Sequence, residues 1–164
     1  MLHKIVLDFT DETRNKLSFL PGLLKKIVKY ALKQVVLVEH DVYLSLSVVD
    51  SETIHEINKT YRKVDRPTDV LSFPYTEKDE VYGNKNSGML ILGDIFLCYD
   101  VASKQAEELG HSTLYEICFL FTHGLLHLLH INHDTDEENK FMEETLLKIL
   151  TKKGDTTDPW NITS

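Results

Sequence analysis

Cysteine is scarce in this chain. Cys98 and Cys118 are the only two in 164 residues, and they lie too far apart for a short metal-binding spacing. Each is flanked by apolar residues, which predicts buried, reduced thiols and excludes a disulfide framework. Positive charge is also in deficit, with only three arginines and a formal net charge of −8 at pH 7. Proteins that coat nucleic acid draw their affinity from lysine and arginine, so that role is excluded and DNA is not expected as a partner. A local basic site is not excluded, because Arg62 and Arg66 lie together in one stretch. Long apolar runs are missing as well. Val35–Val38 and Ile117–Phe121 are far too short to span a bilayer. The first nine residues have too short an apolar run, and too early an aspartate at Asp8, for a secretory leader. Together these absences predict a reduced, cytoplasmic protein with no membrane partner.

What is present is ordinary for a globular domain. Apolar residues make up 42% and charged residues 27%, so disorder is not the expectation. The length fits a single domain able to bury a core without staples. Residues 1–153 are expected to form that domain, and 154–164 a loosely held polar tail around Pro159 and Trp160. There are no internal repeats and no low-complexity linkers.

The pattern along the chain alternates strands and helices. His3–Phe9 reads as a strand. Pro21 opens a helix striped by Leu23, Leu24, Ile27, Val28 and Leu32. Val42–Val49 alternates as a strand, and Ser51 is the expected N-cap of a helix carrying Ile54, Ile57, Asn58 and Tyr61. Val70–Phe73 is a short strand, Thr76–Ser87 a charged exposed loop, and Met89–Leu97 an apolar strand whose one charge is Asp94. Ala102–Leu109 predicts a helix ending at Gly110. Ser112 or Thr113 caps a long apolar helix through Leu129, and Asp134–Glu138 starts the last one, with acids at its positive end. The order β-α-β-α-β-β-α-α-α implies an α+β fold, a mixed sheet of about four strands packed with five or six helices.

Four of the eight histidines fall between His123 and His133. His123 and His127 stand four apart on an apolar helix, which places both imidazoles on one face, one turn apart. His130 also falls on that face if the helix continues, but roughly 10.5 Å along the axis from His123, too far for one ion to bridge. A third ligand therefore has to come from a chain that turns back, and His133 does this if the helix stops near His130. The spacing H-x3-H-x5-H is that of the elongated zinc-protease motif, whose turn glycine is here His130. Histidine tolerates the left-handed conformation better than most residues, so the turn is feasible at some cost in strain. Three imidazoles with a fourth position open are what a catalytic zinc ion takes. The glutamate that serves as base in H-E-x-x-H proteases is replaced by Gly124. Hydrolysis by a zinc-activated water is the remaining chemistry, with a peptidase of another type or a structural zinc site as rivals.

Three motifs carry a resemblance. They are Tyr-Arg-x-x-x-x-Pro-Thr-Asp-Val-Leu-Ser-Phe-Pro over Tyr61–Pro74, Leu-Gly-Asp-Ile over Leu92–Ile95, and His-Gly-x-x-His-Leu-x-x-x-x-His over His123–His133. In this order they resemble the YbeY family of bacterial rRNA maturation factors. The resemblance implies a single-strand-specific, metal-dependent endoribonuclease of metalloprotease-like layout. It implies action in 16S rRNA 3′-end maturation and ribosome quality control, with the small ribosomal subunit or its proteins as partner. By position His123, His127 and His133 become the ligands of one Zn2+ ion, and Arg62 the arginine that holds the RNA phosphate. The attack on the phosphodiester comes from water or from the RNA 2′-hydroxyl. A non-enzymatic ribosome-assembly factor with a structural zinc is the rival within this resemblance. Asp94 either orients a ligand imidazole or is a strand-end charge. The chain departs from the family at His130, usually glycine, and at Asn132, usually an acid. His130 there either strains the turn or adds a proton carrier near the site, and Asp134 is a replacement for the lost acid.

Overall fold

The computed structural model describes residues 4–36, 40–83, 88–151 and 160–163. Its elements in chain order are β1 (Ile5–Asp11), α1 (Leu20–Val35), β2 (Asp41–Val49), α2 (Ser51–Ile57), a π-helical turn (Asn58–Arg62) and β3 (Val70–Pro74). There follow α3 (Lys78–Tyr82), β4 (Met89–Cys98), α4 (Tyr99–Leu109), α5 (Thr113–Leu128) and α6 (Asp136–Thr151). The fold is α+β, with a mixed sheet in the order β1-β2-β4-β3. β1, β2 and β4 are parallel, and β3 runs antiparallel to β4 on the edge.

The parallel pairing follows from the crossovers, since a helix between two strands returns the chain in the same direction. α1 and α5 lay apolar stripes against one face of the sheet, with α6 packed beside them. Phe121, Leu125, Ile117, Leu24 and Ile27 are fully buried there. α2 covers part of the other face through a smaller cluster of Val49, Ile54, Leu71 and Cys98. No helix among the described residues is long and apolar enough to cross a membrane.

Several local expectations are corrected. Asp50, not Ser51, caps α2, its carboxylate accepting from the Thr53 amide at 2.8 Å. β1 ends two residues later than Phe9, because the parallel ladder with β2 continues to Asp11; His3 lies outside the described residues. The segment expected as a loop from Thr76 holds α3, fixed by a capping box between Glu77 and Glu80 and by buried Val81. Five residues with one buried apolar side chain leave no helical period to read. Residues 84–87 lie outside the described residues.

Of the polar tail expected to be loosely held over 154–164, residues 154–159 and 164 lie outside the described residues, and Trp160 and Ile162 are buried in the main core. The Trp160 indole donates to the Ile149 carbonyl at 3.0 Å and meets Tyr30 edge-on at 5.9 Å. The Ser112 hydroxyl donates to the Ile162 carbonyl. Polar neighbours in sequence masked two apolar anchors.

The joint between sheet and α5 is tight at Gly93. Leu92 is an extra residue where Tyr43 and Leu44 pair with Ile91 and Gly93, which makes a β-bulge. Gly93 has φ +141°, and a Cβ there would stand 2.1 Å from the Phe73 carbonyl and 3.0 Å from Leu128 Cδ2. Backbone strain and overpacking therefore act together in Gly93→Ala, and we expect a loss of at least about 2 kcal/mol of stability. A urea midpoint within error of wild type would contradict this packing.

Candidate metal centre

α5 brings the first two imidazoles together. Ser112 caps its start by accepting from the Tyr115 amide at 2.9 Å. Apolar residues on most sides bury the helix, leaving His123 and His127 half-buried on the side toward β3. Their rings lie 4.8 Å apart between centroids, and their Nε2 atoms approach to 3.0 Å.

The helix then stops by a Schellman motif. Ile131 N–H donates to the Leu126 carbonyl at 2.9 Å and His130 N–H to the His127 carbonyl at 3.0 Å. His130 takes the left-handed conformation, φ +61°, as the spacing required. That conformation costs a non-glycine residue about 1–2 kcal/mol. The His130 ring offsets part of this by donating from Nε2 to the Thr76 carbonyl at 2.7 Å, within a half-buried pocket. His130 is thereby turned toward the β3–α3 connection, and its imidazole is a structural tether rather than a proton carrier in the cleft.

The reversed chain returns His133. Its ring centroid lies 5.5 Å from that of His123 and 4.9 Å from that of His127. One ligand atom from each of the three imidazoles lies within 4.8 Å of the others. A tetrahedral zinc with nitrogens at 2.0–2.1 Å needs ligand atoms about 3.3–3.4 Å apart, so modest side-chain rotation closes the group on one ion. His133 is exposed while the other two are half-buried, which leaves the solvent side of the group open.

Burial pushes the His127 pKa down to about 4, with His123, His133 and Arg62 adding in the same direction and Asp134 opposing. Burial also lowers His123, reinforced by His133 and opposed by Asp69. Neutral imidazoles with free lone pairs are what a metal ion takes. The donor set therefore fits a divalent metal.

A cavity of about 460 Å³ lies over the three histidines, walled by Asn58, Arg62, Arg66, Asp69, Ser72 and Gly124 among others. The π-helical turn presents Arg62, and Lys63 ends it in the left-handed conformation, φ +61°. Buried Asn58 holds the following loop by donating to the Arg66 carbonyl at 2.8 Å. Arg62 Nη2 donates to the Ser72 carbonyl at 2.6 Å on the free edge of β3, and its guanidinium carbon lies 4.9 Å from the Phe73 ring centroid. Gly124 faces β4, where an added Cβ would meet Ile95 at 3.3 Å.

Asp94 is not beside the histidines. The bulge at Leu92 shifts the alternation by one, so Leu92, Ile95 and Leu97 face the main core while Asp94 and Phe96 face the other side. Asp94 accepts from Ser45 Oγ at 2.5 Å and from the Tyr75 hydroxyl. The acid that acts on His123 is Asp69, which sequence reading passed over inside the Pro-Thr-Asp motif. It accepts from the Val70 amide at 2.7 Å and from Gln105 Nε2 at 3.2 Å.

The fold and this cleft define an α+β protein with a three-histidine group, able to hold a metal ion, facing an arginine. The profile of the family described as Endoribonuclease YbeY matches residues 8–154. Curated relatives of that name include one from Lachnospira eligens, 41% identical over 71% of this chain and 79% of its own length. Another, from Clostridium botulinum, is 40% identical over 85% of this chain and 95% of its own. The solution structure of TM1509 from Thermotoga maritima superposes with a TM-score of 0.55 at 25% identity, covering 94% of this chain and 98% of that one. The chain belongs to the endoribonuclease YbeY family.

The lowered pKa of His127 has a consequence for the metal-free protein. Folded His127 takes up a proton near pH 4, and unfolded His127 near the ordinary 6.5. Between these values the unfolded chain holds more protons, so acid favours unfolding. The stability due to neutral His127 is complete above about pH 6.5 and is lost as pH falls toward 4. Metal-free wild type should therefore lose more stability between pH 7 and pH 5 than His127→Gln, measured as the shift in urea midpoint. Equal shifts would show that His127 is not held neutral by its surroundings.

Proposed function

We propose that the protein is a zinc-dependent endoribonuclease that cuts single-stranded RNA, with His123, His127 and His133 as the metal ligands. The observation that carries this reading is the convergence of three imidazole ligand atoms within 4.8 Å, in a cavity also walled by Arg62. When bound, the ion supplies Lewis acidity toward water and toward a phosphoryl oxygen.

The chain's own residues do the rest. Arg62 stands in the cavity wall with one nitrogen on Ser72, leaving guanidinium donors for a phosphate. A positive charge placed there in advance stabilises the negative charge that grows on phosphorus-bound oxygens during attack. Asp69 opposes the burial of His123, favouring a ligand ring of higher basicity. The nucleophile is water or the RNA 2′-hydroxyl.

Gly124 weighs against a peptidase. The glutamate base of the H-E-x-x-H proteases is missing at this position, and an added Cβ would already meet Ile95 at 3.3 Å. We place the activity in 16S rRNA 3′-end maturation and ribosome quality control in the cytoplasm. The family relatives bear the endoribonuclease name, and a chain of net charge −8 gains from a ribosomal partner that presents the RNA.

The test uses purified protein on labelled single-stranded RNA and on a peptide substrate, with and without chelator. We expect chelator-sensitive cleavage of RNA alone. Arg62→Glu should lower it about 100-fold or more while metal content is retained. Cleavage and binding of RNA by Arg62→Glu at wild-type levels would refute the phosphate role.

A further inference from the structure

A second cavity lies on the opposite face of the sheet from α5. Ile57, Tyr61, Phe73, Tyr75, Asp94 and Phe96 enclose about 350 Å³. Aromatic side chains of this size are mostly hidden in folded proteins, but Tyr61 is 68% and Tyr75 63% exposed. Tyr61 meets Phe73 edge-on at 5.6 Å, and Phe73 meets Phe96 at 5.9 Å. Tyr61 is thus held at the rim of a packed aromatic floor, and Tyr75 is held at the pocket by its hydroxyl on Asp94.

β3 and the residue after it border both this pocket and the metal cleft. Val70, Leu71 and Ser72 line the cleft, whereas Phe73 and Tyr75, further along the chain, line the aromatic pocket. Arg62 joins the two, because it walls the cleft, bonds Ser72 across the strand edge and sits over the Phe73 ring. Arg62 thus stands between the cleft and the wall of the aromatic pocket.

We propose that this aromatic pocket takes one unstacked nucleobase of the RNA strand, next to the phosphate held at Arg62. The inference rests on the endoribonuclease reading above. The chemistry of the pocket selects a base over other parts of RNA. Asp94 repels a phosphate, and its oxygens, each already accepting one hydrogen bond, retain lone pairs for a base N–H. Exposed ring faces offer stacking, which every base can use. The volume is at the low end for a ligand pocket, suited to one base and not to a stacked pair. A base in a duplex is unavailable for such insertion, so the pocket also provides a physical reason for preferring single strands.

The experiment uses metal-loaded full-length protein and short single-stranded RNAs carrying 2-aminopurine at successive positions, read in the binding phase before cleavage. One position beside the cleaved bond should be quenched on binding to wild type. In Tyr61→Ala and Tyr75→Ala the quenching should be lost, and Kd should rise about tenfold. The loss of kcat/KM should appear mainly in KM, with metal content unchanged. Tyr61→Phe keeps the ring and should restore the quenching. If wild type cleaves RNA but both alanine variants bind and quench as wild type does, the pocket does not hold a base and the inference is overturned. If wild type neither binds nor cleaves RNA, the endoribonuclease reading itself fails.

Discussion

The site depends on one helix ending. α5 stops at Leu128 with His130 left-handed, and two backbone bonds close the motif at Leu126 and His127. If the helix continued, His130 would be carried out of reach along the axis and His133 would not return. The reversal is what converts two imidazoles on a helix into three around one point. Its cost, a positive φ on a residue other than glycine, is partly offset by the His130–Thr76 bond, which also ties the reversal to the segment after β3.

The same region shows how a buried helix can present polar groups. α5 is packed along most of its length, and Gly124 lets it approach Ile95 of β4 closely. That approach brings His123 and His127 beside the edge strand β3, where Asp69 and the Arg62–Ser72 contact complete the wall. Burial keeps the imidazoles neutral, a state that suits metal binding better than a fully solvated surface would. The π-helical turn after α2 has the parallel role for Arg62, since such turns offset the side chains that follow from a regular helical register.

Much of this was legible in the sequence because it follows local rules. The shared face of His123 and His127 and the alternation of strands and helices come from periods of 3.6 and 2, whereas the left-handed turn at His130 and the return of His133 come from the likeness of the spacing to a known metal motif. The placement of Asp94 was not legible. A bulge of one residue at Leu92 reverses the sides of the strand, and no local pattern in the apolar run Met89–Leu92 announces it. Asp69 was hidden for a different reason, as an acid in a loop gains meaning only when the fold brings α5 beside it. Trp160 and Ile162 likewise required the tertiary structure, because their neighbours are polar and their partners lie on α1, α5 and α6.

We propose that His123, His127 and His133 hold one metal ion and that RNA cleavage depends on it. The most direct measurement pairs metal content with cleavage of single-stranded RNA for wild type and His123→Ala. We expect about one zinc per chain and active cleavage in wild type, with both lost in a folded His123→Ala protein. Undiminished zinc content and cleavage in His123→Ala would contradict the account.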